Sequence, residues 1–188
     1  GRLAEAARCY RRALRRDRGN TETLNSLGNV LRGLGQYPKA VACYRRILKL
    51  DPDSHKAEHN LGNVLKEQGR LDEATACYRR ALGRAPGSAE TLSNLGLVLQ
   101  LQARLDEAID CYRQALQANP DLAEARSNAL FAMQYRPGVT PAELAEAHAE
   151  YEFRHASRHR VSWRAHENRR DPDRRLRLGF VSMDFACH

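Results

Sequence analysis

The sequence predicts an all-α fold, a solenoid of stacked helix pairs, and three observations carry that prediction. A hexapeptide recurs in phase: Ser26-Leu27-Gly28-Asn29-Val30-Leu31, then Asn60-Leu61-Gly62-Asn63-Val64-Leu65, then Asn94-Leu95-Gly96-Leu97-Val98-Leu99, each 34 residues after the last. Tyrosines keep the same interval at Tyr44, Tyr78 and Tyr112. A proline closes each unit at Pro52, Pro86 and Pro120. Self-similarity at a period of about 20–50 residues marks an array in which each unit buries its apolar face only by stacking on the next.

Residues 1–20 read as the second half of a unit, because Leu3, Ala6, Ala7, Tyr10, Ala13 and Leu14 fall at helical spacing and form one apolar stripe. Full units span 21–54, 55–88 and 89–122. Each has a first helix carrying Leu-Gly, a short turn, and a second helix carrying Ala and Tyr. Gly28, Gly62 and Gly96 lie mid-helix, where glycine costs about 1 kcal/mol, so a neighbour is expected to approach closely there. Ala40, Ala74 and Ala108 leave matching room on the second helices, and the tyrosines supply the bulk between units. Gly35 and Gly69 end first helices, and the prolines stop second ones. Asp72-Glu73 and Asp106-Glu107 put acid into a first helical turn, where the macrodipole favours it.

Residues 123–157 form a degenerate unit with a capping or docking helix. Arg126 to Phe131 continue a first helix, which Pro137-Gly138 breaks. Thr140 with Glu143 makes a capping box, Pro141 takes the first helical position, and a helix is expected from about 141 to 157. Residues 158–174 read as an Arg-rich linker. Residues 175–188 change texture: Leu176-Arg177-Leu178-Gly179-Phe180-Val181-Ser182 is short, apolar and β-prone. A lone strand is not stable, so the expectation is the first strand of a truncated α/β domain. The start at Gly1, inside a repeat, is likewise expected to be a cut from a longer chain.

No apolar run approaches the roughly 20 residues that cross a bilayer, and no signal-peptide core opens the chain; a cytoplasmic protein is expected. Of the five cysteines, Cys9, Cys43, Cys77 and Cys111 keep the 34-residue spacing. Helices in such stacks lie about 10 Å apart, beyond the roughly 7 Å that a disulfide spans, so these read as small buried hydrophobes in a reducing compartment. The net charge of +8 is concentrated in two places: seven arginines against Glu5 and Asp17 in residues 1–18, and nine against Glu167, Asp171 and Asp173 in 154–177. A basic patch attracts nucleic acid, but no aromatic interleaving or RNA-binding signature accompanies it, and a solvated face is the preferred reading. His55/His59 and His155/His159 are spaced i, i+4 without a third ligand or a HExxH acid, which favours exposed helix surface over a metal site.

The pattern Leu-Gly, Ala, Tyr, Ala, Pro over 34 residues resembles the tetratricopeptide repeat across about 1–136. Arg18 replaces one closing proline, and Glu58 sits where a bulky residue is usual. The resemblance implies a right-handed superhelix of helix pairs whose first helices line a concave groove. In that geometry Ser26, Asn60, Asn94 and Asn128, the sixth residue of each unit, face the groove. A carboxamide both donates and accepts, so a ladder of them can grip the backbone of an extended acceptor peptide regardless of its side chains. The competing reading is that these residues cap or solvate their helices. Glu22, Glu90 and Glu124, interrupted by Lys56, are either an acidic edge to this groove or ordinary helix formers.

Leu178-Gly179-Phe180-Val181-Ser182-Met183-Asp184-Phe185-Ala186-Cys187-His188 resembles the opening of the catalytic region of the O-GlcNAc transferase family, Gly-Tyr/Phe-Val-Ser-x-Asp-Phe-x-x-His, at every motif position. Residues 127–135, 140–144 and 171–177 are similar to the bacterial members. This resemblance implies a GT-B enzyme of two Rossmann-like lobes that moves N-acetylglucosamine from UDP-GlcNAc to Ser or Thr of proteins without a metal. It places His188 in the active site as an acid/base group, for which an imidazole near neutrality is suited; the alternative is a histidine that bonds the turn after the strand. The groove asparagines correspond to the family's acceptor-holding ladder. The nucleotide-sugar site falls downstream of His188, so the 188 residues alone are expected to bind acceptor and not to transfer sugar, with no cofactor of their own. The alternative function is a non-enzymatic repeat scaffold.

Overall fold

The computed structural model describes residues 1–157, within the unit Gly1–Arg158. The helices are α1 (Arg2–Arg16), α2 (Thr21–Gly33), α3 (Tyr37–Leu50), α4 (His55–Glu67), α5 (Leu71–Arg84), α6 (Ala89–Leu101), α7 (Leu105–Ala118), α8 (Ala123–Tyr135) and α9 (Pro141–Tyr151), with a π-helical turn at Glu152–Ala156. No strand occurs among the described residues. The expected linker over 158–174, the expected strand of 175–188 and His188 lie outside them.

The three hexapeptides are seats for the three tyrosines. A Cβ built on Gly28 would sit 2.6 Å from Tyr44 Cζ, and on Gly62 or Gly96 it would sit 2.7 Å from Cε1 of Tyr78 or Tyr112. Each ring is fully buried against its own unit's first helix. Each hydroxyl finds an acceptor on that helix, beside the glycine in the first two units and one turn further along in the third: Tyr44 donates to Asn29 Oδ1 at 2.8 Å, Tyr78 to Asn63 Oδ1 at 2.7 Å and Tyr112 to Gln100 Oε1 at 3.1 Å. A buried phenol without such a partner would cost a desolvation penalty of about 1–3 kcal/mol.

Turns between the two helices of a unit require a left-handed residue, supplied by Gly35 (φ 69°) and Gly69 (φ 72°); Ala103 takes the same place in the third unit at φ 59°. The turns between units are held by side chains. Asp17, Asp51 and Asn119 each accept the backbone N–H two residues on, from Gly19, Asp53 and Asp121, at 3.0, 3.2 and 3.1 Å. This is why Arg18 can replace a proline without losing the turn. Glu58, the other departure, is buried and holds Arg80 through a two-point fork of 2.7 and 3.0 Å. Arg126, in the same register of α8, is also buried and reaches Glu150 of α9 at 2.8 Å, fastening that helix to the last repeat. The capping box at Thr140 and Glu143 is formed.

Cys43 and Cys77 are buried, as small core residues should be, but Cys111 is half-buried and Cys9 exposed. Cys43 and Cys77 line clefts against the preceding second helix. The expectation of burial fails at Cys9, which no preceding second helix covers among the described residues. Burial raises the Cys43 thiol pKa and pushes that of Cys77 up to about 12, which keeps both thiols protonated.

Candidate functional site: the first-helix face

Within the described residues α2 touches α4, α4 touches α6 and α6 touches α8, while consecutive second helices share no comparable contact. The first helices are thus the inner, closely spaced row of the stack. Their side chains meet across repeats. Asn60 Nδ2 donates to Asn25 Oδ1 at 2.8 Å, Lys66 Nζ donates to Asn94 Oδ1 at 2.8 Å, His59 Nδ1 lies 2.9 Å from Thr91 Oγ1, and Arg32 reaches Glu67 at 3.4 Å. Bonds between residues 28 to 35 positions apart form only if these side chains share one continuous face.

Ser26, Asn60, Asn94 and Asn128 are half-buried in one register of that face. They are not equivalent. The amide of Asn60 and the oxygen of Asn94 are engaged by neighbours, leaving the oxygen of Asn60 and the amide of Asn94 open. Asn128 has no side-chain hydrogen bond among the described residues, so there it keeps both groups open. A carboxamide that hydrogen-bonds a neighbouring repeat is held in orientation, which reduces the entropy it loses on gripping a ligand. Glu22, Glu90, Glu124 and Lys56 are exposed.

Sequence reasoning missed two features. Lys66 is half-buried, and burial lowers its pKa against the opposing pull of Glu124 and Glu67. His59 is also half-buried, packed edge-on to Tyr78 with ring centroids 5.9 Å apart, and burial lowers its pKa; it belongs to the packing, whereas His55 is exposed surface. No group of three potential metal ligands occurs among the described residues.

The face also changes character along the stack. The register of Asn63 and Glu67 becomes Leu97 and Leu101, then Phe131 and Tyr135. The last two rings stack 4.8 Å apart and are about half exposed, as is Leu101. The signal was in the sequence, at the ninth and thirteenth residues of each unit. Exposed neighbouring aromatics on a polar surface are a common mark of a protein-binding face. No helix among the described residues is long and apolar enough to cross a membrane.

A family model for the tetratricopeptide repeat matches residues 19–85 and 53–121. The chain is similar to a crystal structure of MamA, with 23% identity over 84% of this chain and 91% of that one and a TM-score of 0.76. MamA from Desulfovibrio magneticus RS-1 gives 24% identity over 84% and 88%, with a TM-score of 0.75. These likenesses concern the fold. A mutant of the Thermobaculum terrenum O-GlcNAc transferase is similar at 27% identity over 74% of this chain but only 27% of that one, with a TM-score of 0.68. No curated protein matches the chain.

Proposed function

This chain belongs to the tetratricopeptide repeat family, and from that premise we propose that it is the substrate-selecting arm of a cytoplasmic, O-GlcNAc transferase-like protein glycosyltransferase. Its first-helix face holds an extended acceptor polypeptide. The observation that carries the binding role is the row of half-buried carboxamides, Asn60, Asn94 and Asn128, each with hydrogen-bonding capacity left open and leading to the exposed pair Phe131 and Tyr135. Amide groups presented along one face suit a backbone, and the aromatic end adds an apolar anchor. Ser26 extends the row with a hydroxyl.

The transferase assignment is supported by the motif ending at His188 and by the likeness to the Thermobaculum protein over most of this chain. In this reading UDP-GlcNAc is the donor, Ser or Thr of the bound polypeptide the acceptor, and His188 moves a proton at the acceptor or the leaving group. The proposed donor site lies beyond His188.

The test is fluorescence anisotropy with a labelled, unstructured Ser/Thr-containing peptide. Asn60→Ala, Asn94→Ala and Asn128→Ala together should weaken binding about tenfold or more. The melting temperature should fall only as far as the loss of two cross-repeat hydrogen bonds demands. Unchanged affinity removes the acceptor groove. A second reading, a scaffold without catalysis, is favoured by the fact that the family match falls on repeats alone. Full-length protein incubated with labelled UDP-GlcNAc and an acceptor protein separates the two: no transfer leaves the scaffold.

A further inference from the structure

We propose that the cleft between α1 and α3 binds an acidic polypeptide segment. It is a cavity of about 480 Å³ whose mouth carries four arginines: Arg11, Arg15 and Arg18 from α1 and the turn after it, and Arg46 from α3. Leu14, Leu24 and Leu27 supply an apolar floor. None of the four guanidiniums has a carboxylate partner among the described residues; that of Arg46 donates to the backbone carbonyl of Arg18, which holds it at the opening.

The repeats provide their own control. The next cleft, between α3 and α5, has Arg80 in the register of Arg46, and there the carboxylate of Glu58 of α4 forks onto Arg80 at 2.7 and 3.0 Å. In the cleft after that, Arg79, in the register of Arg11, meets Glu107 at 3.4 Å. In the first cleft the position of Glu58 is Leu24, and that of Glu107 is Lys39. The carboxylates that neutralise the later clefts are therefore missing where the arginines are most numerous. Guanidinium groups around one opening repel each other, and a carboxylate entering from outside gains charge-assisted bonds of the kind Glu58 already makes internally.

The occupant is read from the same comparison. The group that pairs the arginine of the second cleft is a polypeptide glutamate, and the first cleft offers unpaired arginines over leucines. A segment bearing Glu or Asp beside an aliphatic residue matches both the charge and the floor. The arginines of this site stand on α1, the turn after it and α3, apart from the carboxamides of the first helices, so it does not depend on the acceptor-binding reading.

Anisotropy of a labelled peptide of alternating Glu and Leu, titrated with the 188-residue chain at low and moderate salt, tests this. Arg11→Gln with Arg46→Gln, both exposed, should weaken binding about tenfold, with the melting temperature lowered no further than loss of the Arg46 bond to the Arg18 carbonyl demands. Leu24→Glu should weaken it similarly, by supplying the internal carboxylate that Glu58 supplies one repeat later. If that variant melts early, the arginine pair decides alone. The Asn60, Asn94 and Asn128 alanine variant should bind this peptide as well as the parent chain. Equal binding by the arginine variant overturns the proposal. So does loss in the asparagine variant, or competition by single-stranded RNA or tripolyphosphate equal, per charge, to that of unlabelled peptide, since those outcomes mean a different face or a general attraction for polyanions.

Discussion

A Cβ on Gly62 would sit 2.7 Å from Cε1 and 2.9 Å from Cδ1 of Tyr78, a ring that is fully buried and tied through its hydroxyl to Asn63. The ring has nowhere to go. Gly62→Ala gains about 1 kcal/mol of helix propensity, but forcing a methyl into this contact costs about 1–3 kcal/mol or more. We expect a net loss of about 1–2 kcal/mol, measured as a shift in the urea midpoint with an unchanged slope. A more stable variant would show that the glycine serves something other than the tyrosine. The periodicity of this glycine was legible in the sequence, as was its need for a close neighbour. The identity of that neighbour was not, because only the packed structure shows the tyrosine folding back onto its own unit's first helix.

At the scale of elements, local chemistry was the most readable. The capping box of α9 is written in four residues, Thr140 to Glu143, and forms as read: Thr140 N–H donates to Glu143 Oε2 at 2.7 Å, and Glu143 N–H donates to Thr140 Oγ1 at 3.3 Å. The Thr140 N–H first, and then the Thr140 hydroxyl, which donates to Glu143 Oε2 at 2.9 Å, hold the Glu143 carboxyl below its ordinary value of 4.5. A depressed pKa means that the cap contributes above pH 4.5 and is lost as pH falls through the lower folded value. Protection factors at the start of α9 should therefore fall on acidification below pH 4.5; Thr140→Ala should lower them about fivefold at neutral pH, and Glu143→Gln should remove the acid dependence. An unaltered acid profile in that variant would separate the titration from the cap. The end of this helix was less legible: the expected helix to 157 gives way at Glu152 to a π-helical turn.

Across the described helices the core is one elongated cluster that runs from Ala7 to Ala132, and each repeat is supported by its neighbours. Stability in such an array is close to a sum of unit and nearest-neighbour terms. The units containing α4 to α7 have partners on both sides, whereas α1 packs on α2, and α9 has no fully buried residue and leans on α8 through Arg126 and Glu150. Hydrogen exchange should show protection highest in α4 to α6 and falling toward α1 and α9. Protection equal from α1 to α9 would mean that the array opens only as one unit. The all-helical class, the 34-residue unit and the row of Ser26, Asn60, Asn94 and Asn128 were determined by the sequence alone, because repetition and helical period are properties of residue order. Tertiary structure decided which carboxamide groups remain open, that His59 and Lys66 are half-buried, and that Glu58 pairs the arginine of one cleft while Leu24 leaves the preceding one to its arginines. Those depend on side chains from helices about 30 residues apart meeting in space, and hydrogen bonds and ion pairs between neighbouring repeats follow from distance, which order along the chain does not contain.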